Sequence, residues 1–189
     1  MNNRNTRGKV RFLIEGMKNF NKTGSFTPSG DAMCRRMTDF TDYEHHRVLI
    51  ELGAGDGVIT RYILNKMHKD AVLLCFEINE SFYEKLESIK DERLIVIKDS
   101  AEHVEDYLQK YQLEKADCII SALPFIVLPK IVMKNILDAC FKVLKDDGVF
   151  VQMHYALTHK SVYEKIFRTV KTHFVAANFP PGYVFECRK

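Results

Sequence analysis

The strongest constraint on this chain is the segment 48–59, in which an apolar run leads into three alternating glycines. Val48 to Leu52 has the composition of a buried strand, and a helical pattern follows the glycines. Gly53, Gly55 and Gly57 carry no Cβ, so the backbone can turn sharply there. A ligand can then lie against the main chain and meet free amide N–H groups at a helix N-terminus. The segment predicts a strand, a ligand-binding turn and a helix.

The glycine spacing excludes two common nucleotide-binding loops. No Gly-Lys-Ser/Thr sequence follows, as a phosphate-binding P-loop requires, and the last interval differs from the dinucleotide fingerprint Gly-x-Gly-x-x-Gly. The acid Glu51 precedes the glycines, which gives the pattern Glu-x-Gly-x-Gly-x-Gly. Because an ordinary strand-to-helix turn can also contain such glycines, the downstream residues decide the meaning of the loop.

Length and composition indicate one ordinary globular domain. The chain has 189 residues, and its net charge of +3 does not require a nucleic-acid partner. The five cysteines have no paired spacing, which indicates reduced core residues rather than disulfides or a metal site. The N-terminus lacks the apolar core of a signal peptide. The longest apolar stretch, 118–133, is interrupted by polar residues and prolines, so we expect no transmembrane segment.

Strand and helix patterns alternate from residue 47 onward. The alternation predicts an α/β fold, a seven-stranded, doubly wound, Rossmann-like sheet that is mostly parallel. A short connection between the last two strands predicts an antiparallel hairpin at the sheet edge. In such sheets ligands bind beyond the carboxyl ends of the strands. The apolar runs that predict strands lie at 47–52, 72–77, 94–98, 116–121, 148–153, 173–177 and 183–187.

Capping signals predict where the helices begin and end. Two Ser-x-x-Glu sequences have the spacing of capping boxes, at 81–84 and 161–164. Ser100 is suited to cap the helix after the third strand. Pro129 favours the first turn of a helix that we expect to end near 146–148.

Two acids follow neighbouring predicted strands. Glu77 ends the second strand, where a carboxylate can accept hydrogen bonds from both ribose hydroxyls of a nucleoside seated on the glycine loop. Asp99 follows the third strand and can accept from an adenine amino group. The alternatives are a solvated acid at position 77 and a simple helix cap at 99 or 100.

The segment 121–125, Ser-Ala-Leu-Pro-Phe, ends the fourth strand. A proline cannot continue the ladder, so the chain must turn out of the sheet here. Carbonyl groups freed by the turn can hold an amine, and Phe125 can contact that amine as a cation–π partner. The alternative is an ordinary turn with Phe125 in the core.

Together these features resemble class I S-adenosylmethionine-dependent methyltransferases, in their order as well as their residues, over roughly 45–187. The motifs are Glu51-Leu-Gly-Ala-Gly-Asp-Gly57, Glu77, Asp99-Ser-Ala101 and Ser121-Ala-Leu-Pro-Phe125. The resemblance implies S-adenosylmethionine as cofactor and no metal. The cofactor-binding residues that it implies are Glu51, Gly53, Ala54, Gly55, Gly57, Glu77, Ile78, Asp99, Ser100, Ala101 and Ser121.

Two subfamilies share the Leu-Pro-aromatic turn. Ribosomal RNA adenine dimethyltransferases usually carry Asn-Leu-Pro-Tyr, whereas small bacterial phospholipid N-methyltransferases tend to carry Ser-x-Leu-Pro. This chain resembles the second group at Ser121 and in the segments 24–29, 150–155 and 178–184. It also ends after the last strand, where the ribosomal enzymes continue into a helical RNA-binding domain.

The resemblance implies methyl transfer to the amino head group of a phospholipid such as phosphatidylethanolamine. The acceptor-site residues that it implies are Ser121, Leu123, Phe125 and Tyr155. A primary ammonium must lose a proton before attack, and Tyr155 and His154 are the candidates near the expected cleft. Strand alternation lets only one of them point inward. The resemblance favours Tyr155, and a histidine such as His154 is more often structural or solvated.

The N-terminal segment is basic and amphipathic. Residues 1–22 hold six basic residues and one acid, and apolar residues within 10–20 recur at helical spacing. Such a helix can lie in an anionic membrane interface or cover the cofactor cleft, and a lid that docks on lipid would do both. We therefore expect residues 1–44 to form a helical lid or membrane-contacting segment and residues 45–189 to form the catalytic domain. We expect a cytoplasmic protein with peripheral contact at the inner membrane face.

Three other functions remain open from the sequence. A nucleic-acid adenine methyltransferase would need a broad basic surface, which residues beyond position 22 do not predict. A small-molecule amine methyltransferase would lack membrane contact. A cofactor-binding protein without catalysis is disfavoured by the intact turn at 121–125.

Overall fold

The computed structural model describes residues 30–189. The predicted N-terminal helix within 10–20 and most of the predicted 1–44 segment lie outside the described residues, so that domain assignment stays a prediction. The described part begins with helix α1 (Asp31–Thr38), whose Met33, Cys34 and Met37 are buried.

The seven strands form one sheet in the order β3-β2-β1-β4-β5-β7-β6. Strands β1 to β5 pair in parallel, and β7 pairs antiparallel with both β5 and β6. The predicted α/β class, doubly wound sheet and antiparallel edge hairpin are confirmed. The strands are β1 (Val48–Leu52), β2 (Val72–Phe76), β3 (Leu94–Ile97), β4 (Ala116–Ser121), β5 (Leu144–His154), β6 (Thr169–Val175) and β7 (Gly182–Arg188).

Helices cover both faces of the sheet because the strands are apolar on both sides. One apolar cluster joins the sheet to the helices Val104–Lys110, Lys130–Val143 and Lys160–Tyr163, and a second joins it to α1 and the helix Val58–Leu64. All five cysteines lie within the described residues and are buried there as thiols rather than as disulfides, as predicted. The remaining helices are α2 (Val58–Leu64), α3 (Glu80–Glu87), α4 (Val104–Lys110), α5 (Lys130–Val143) and α6 (Lys160–Tyr163), with a 3-10 turn at Ala101–His103.

Several predicted boundaries are wrong, and hydrogen bonding explains two of them. The side chain of Asn79, not Ser81, caps α3 by accepting from the Ser81 amide at 3.0 Å. The capping box at 161–164 is also wrong, since α6 begins at Lys160 without a side-chain cap. Ser100 does cap the 3-10 turn that precedes α4. Helix α5 ends at Val143, and β6 spans 169–175 rather than 173–177.

Candidate active site

The carboxyl ends of β1, β2 and β3 meet at one edge of the sheet. With the segment after β4 and one face of α5 they border a cleft that is open to solvent and holds about 390 Å³ of empty space. Six of the predicted cofactor-binding residues line it, together with four apolar side chains. The predicted residues in the lining are Gly53, Glu77, Ile78, Asp99, Ser100 and Ala101, and the others are Phe76, Leu123, Leu128 and Ile136.

The glycine loop uses three residues in the left-handed region, with φ of 73° at Gly53, 57° at Gly55 and 80° at Gly57. A non-glycine residue is strained at such angles. A Cβ at Gly53 would lie 2.8 Å from Cδ2 of Leu123, whereas one at Gly55 would meet no heavy atom within 4 Å. The loop is therefore packed against Leu123 at Gly53, whereas the Cβ position at Gly55 meets open space.

Glu77 ties the glycine loop to the end of β2. Its Oε2 accepts from the Gly55 amide at 2.9 Å, and its Oε1 accepts from the Asn79 amide at 2.7 Å. The carboxyl is 2% exposed. Burial raises the pKa of Glu77, and the backbone amides that it accepts from offset part of that effect. Because each carboxylate oxygen has two acceptor sites, Glu77 can hold the loop and still accept from a ligand.

Asp99 is held in place by three neighbours. Its Oδ1 lies 2.7 Å from the Ser100 amide and 3.0 Å from Nδ1 of His103, and Tyr107 donates to Oδ2 at 3.1 Å. The carboxylate of Asp99 accordingly has a fixed orientation at the cleft. Ser100 uses its hydroxyl to cap the following turn, so both predicted roles in this segment fit the structure together.

Glu51 does not line the cleft. It is fully buried in β1, where Cys75 donates from Sγ to Oε2 at 3.6 Å, and Oε1 has no hydrogen-bond partner among residues 30–189. Burial raises the pKa of Glu51 to about 7, with Thr60 and Cys75 offsetting part of the shift. Ala54, Gly55, Gly57 and Ser121 are also absent from the lining, and Ser121 is fully buried at the end of β4.

The turn after β4 is fixed by Gln152 of β5. Nε2 of Gln152 donates to the Leu123 carbonyl, which also accepts from the Phe125 amide at 2.9 Å. A carbonyl oxygen has two lone pairs, so that of Leu123 is fully used within the protein. Its predicted role as an acceptor for the substrate amine is therefore not supported by this geometry. The Ser121 hydroxyl accepts only a long hydrogen bond, 3.4 Å from the Leu123 amide.

Phe125 lies in the core, as the structural alternative proposed. It is 2% exposed, and its ring centroid lies 6.4 Å from that of His154. His154 points inward, and its Nε2 lies 2.8 Å from the hydroxyl of buried Tyr163. Burial and the neighbouring His159 lower the pKa of His154 to about 4, so it is neutral at pH 7.

Tyr155 directly follows the end of β5 and is 36% exposed, beside Gly182. Burial raises the pKa of its phenol. The residue that points toward the Phe125 turn is therefore His154, whereas the resemblance favoured Tyr155 as the inward residue.

The sequence reasoning missed three apolar lining residues, Phe76, Leu128 and Ile136. Phe76 directly precedes Glu77 at the end of β2, and this position beside the predicted acid is the sequence signal for it. Leu128 and Ile136 come from the β4–α5 loop and one face of α5. Nothing local in the sequence distinguishes them from core residues.

Known proteins resemble this chain over most of its length. The spermine/spermidine synthase domain family matches residues 31–184. An ornithine lipid N-methyltransferase of Singulisphaera acidiphila is 28% identical over 180 residues, which covers 94% of each chain. None of the helices within 30–189 has the length and apolar character needed to cross a bilayer.

Solved structures show the same fold at low sequence identity. The 1,6-didemethyltoxoflavin-N1-methyltransferase of Burkholderia thailandensis superposes with a TM-score of 0.68 at 15% identity, over 97% of this chain and 90% of that one. Precorrin-6y C5,15-methyltransferase of Geobacter metallireducens gives a TM-score of 0.63 at 16% identity, over 84% and 86%. The chain therefore belongs to the spermine/spermidine synthase domain family and has the fold of class I S-adenosylmethionine-dependent methyltransferases.

Proposed function

We propose that this protein is an S-adenosylmethionine-dependent N-methyltransferase whose acceptor is the amino head group of a lipid, with phosphatidylethanolamine as the first candidate. The observation that carries the proposal is that Gly53, Glu77 and Asp99, from three different strand ends, line one cleft. The lipid acceptor is supported by the curated relative that acts on ornithine lipid, an amine-bearing lipid by its name.

The cleft fits the cofactor by its donor and acceptor groups. Glu77 would accept from the ribose hydroxyls and Asp99 from the adenine amino group, with Ile78 and Ala101 against the ring. The open space at Gly55 leaves room for the rest of the molecule beside the backbone of the loop. When bound, S-adenosylmethionine supplies an electrophilic methyl group on its sulfonium.

The chain must also neutralise and hold the acceptor amine. For an ammonium with a pKa near 10.4, deprotonation at pH 7 costs about 4–5 kcal/mol. We assign the amine to the turn at 121–125, where Leu123 lines the cleft. The Ser121 hydroxyl and Phe125 lie buried behind Leu123, and Ser121 accepts only a long hydrogen bond within the protein.

We assign the proton transfer to Tyr155 as a relay. Its phenol is protonated at pH 7, because burial raises its pKa, so it passes its own proton to water as its oxygen accepts the proton of the ammonium. His154 is the competing group. A pKa lowered to about 4 makes it a weak base, and its Nε2 is hydrogen-bonded to the Tyr163 hydroxyl.

Methyl transfer to lipid is tested by incubating the protein with methyl-labelled S-adenosylmethionine and, in separate samples, phosphatidylethanolamine vesicles, ornithine lipid vesicles or RNA. Label in either lipid supports the proposal, and the lipid that is labelled faster identifies the acceptor. Label only in RNA, or in no acceptor while the cofactor binds, contradicts it. The Glu77→Ala variant is the control for cofactor-independent label.

The family match favours one second function, aminopropyl transfer to a polyamine. That reaction transfers a different group from decarboxylated S-adenosylmethionine. A sample with decarboxylated cofactor and putrescine therefore separates the two, since spermidine would form only if the second function is right. A nucleic-acid acceptor is disfavoured by charge. Without the six basic residues and one acid of 1–29, the chain's 28 basic and 25 acidic residues fall to 22 and 24, whereas RNA binding needs a basic surface.

A further inference from the structure

We propose that the acceptor half of the carboxyl edge is the surface by which this domain sits on an anionic bilayer. The inference rests on the proposed lipid acceptor. It goes beyond that function because it assigns the docking face to the described domain and not to residues 1–22.

Exposed large apolar side chains are confined to one edge of the described molecule. Five of the six lie in or directly beside the loops that follow β4, β5 and β6, and we call these five the apolar rim: Ile126, Ile131, Tyr155, Leu157 and Phe179. The sixth, Phe174, is on β6 near the same edge, with its ring 5.2 Å from that of Tyr183. Ile126 is 60% exposed and Phe179 is 86% exposed. Single exposed apolar residues are ordinary, but a contiguous group marks an interaction site.

The sheet brings the three loops together. Because β7 runs antiparallel to β5, His154 at the end of β5 pairs with Tyr183 at the start of β7. A Cβ at Gly182 would lie 2.9 Å from the His154 carbonyl and 3.5 Å from Cδ1 of Tyr155. The ring of Phe125 lies 6.4 Å from that of His154. The loops that carry the rim therefore lie beside the turn after β4 and the end of β5, on the acceptor side of the sheet edge.

The distribution of charged residues along this edge indicates an anionic partner for the rim. Segments 122–131, 155–160 and 176–181 contain 22 residues and none of the 24 acids of the described chain, but they contain Lys130, His159 and Lys160. The cofactor half of the same edge carries its acids, Asp56, Glu77, Glu80 and Asp99. Lys160 pairs with Glu164 at 3.0 Å, so we assign the attraction to an anionic surface to Lys130. Apolar loops without acids and with a lysine beside them are complementary to the interface of an anionic membrane. In that orientation the head-group amine arrives on the side of the cleft where the Ser121–Phe125 turn lies.

The test measures partitioning of the full chain onto vesicles of equal parts phosphatidylethanolamine and phosphatidylglycerol by sedimentation. We expect the triple variant Ile126→Ser, Leu157→Ser, Phe179→Ser to bind at least about tenfold more weakly, because each side chain loses apolar burial in the interface. Lys130→Glu should weaken binding about fivefold or more, since one charge near an anionic surface is worth about 1 kcal/mol. The matched charge reversal Lys69→Glu, at the opposite edge of the sheet, should bind as the wild type does.

Activity on two lipid presentations separates this proposal from the proposed function. The triple variant should keep wild-type methylation of phosphatidylethanolamine in detergent micelles and lose it on vesicles. If the wild type methylates neither presentation, the lipid function fails, while sedimentation still reports on the rim. Equal vesicle binding by the wild type and the triple variant would overturn the assignment of the rim as the membrane-docking surface. The assignment also fails if the wild type is a dimer and the triple variant breaks the dimer without changing vesicle binding. An unchanged melting temperature shows that the variant is folded.

Discussion

Nε2 of Gln152 lies 3.0 Å from the main-chain oxygen of Leu123 and 2.8 Å from that of Met153. One buried amide thus ties the turn after β4 to the end of β5, the two segments that flank the acceptor. Both contacts require the nitrogen to face the carbonyl groups, which leaves Oε1 of Gln152 without a partner among residues 30–189.

Replacing Gln152 should loosen this turn. In Gln152→Leu two buried carbonyls lose a donor, so we expect the free energy of unfolding to fall by about 1–3 kcal/mol. Turnover should fall more than cofactor affinity, because Leu123 and Phe125 border the acceptor. Chemical denaturation, calorimetry and the methylation assay measure the three quantities. The control is Asn135→Leu, which removes the amide contact to Glu102 (2.7 Å) away from the turn. An equal loss of turnover in both variants would rule out a specific role for Gln152.

Glu77 should be needed for cofactor affinity. Glu77→Gln removes the charge and turns an NH₂ group toward one of the two backbone amides that the carboxylate now accepts from. We expect cofactor binding to weaken by about 1.5–3 kcal/mol for each charge-assisted bond lost. Calorimetry with S-adenosylhomocysteine measures this. Glu80→Gln, an exposed acid nearby that pairs with Lys98, is the control. Equal affinity in Glu77→Gln and the wild type would remove Glu77 from the cofactor site.

The first and second loop glycines should respond differently to alanine. Both substitutions impose a positive φ on a residue with a Cβ, at a cost of about 1–2 kcal/mol. Gly53→Ala also drives its methyl group into Leu123, so it should lower the melting temperature more than Gly55→Ala. Gly55→Ala should instead lose more cofactor affinity than stability, since its methyl group enters the open space in which the proposed function places part of the cofactor. If the two variants lose equal stability, the contact of Gly53 with Leu123 is not tight.

Glu51 should make stability depend on pH. Its folded-state pKa is raised from 4.5 to about 7, so the folded protein holds a proton that the unfolded chain has lost between these values. Stability from this group is therefore present below pH 4.5 and lost as pH rises through 7, by about 3 kcal/mol in all. His154 acts in the opposite direction between pH 4 and 6.5, because its folded pKa is lowered to about 4.

The Glu51→Gln variant isolates the first of these effects. Relative to wild type, it should gain stability between pH 4.5 and about pH 7 in denaturant titrations, and the difference should level off above that. A constant difference across that range would show that Glu51 titrates normally in the folded protein.

Tyr155 and His154 can be separated kinetically. If Tyr155 takes the proton, Tyr155→Phe should lower turnover about 100-fold and leave cofactor affinity unchanged. His154→Gln should mainly lower stability, since it disturbs the contact with Tyr163 in the core. A wild-type rate in Tyr155→Phe, together with a large loss of turnover in stable His154→Gln, would transfer the role to His154.

The sequence determined the positions of the strands along the chain, the glycine turn and the acids at the strand ends, because these depend on local rules: apolar runs, glycine freedom and the alternation of strands with helices. It also placed Glu77 and Asp99 at the edge where the structure finds them. Caps were less predictable, because Asn79 and Ser81 offer competing side chains two residues apart and only the backbone geometry selects between them.

Only the tertiary structure decided which side chains meet across the sheet. Gln152 and Leu123 are 29 positions apart and belong to neighbouring strands, and their contact uses up the carbonyl that the sequence assigned to substrate. The inward direction of His154 likewise depends on the end of β5 and its pairing with β7. The apolar rim arises because three loops, distant along the chain, reach one edge, a long-range arrangement that no local pattern records.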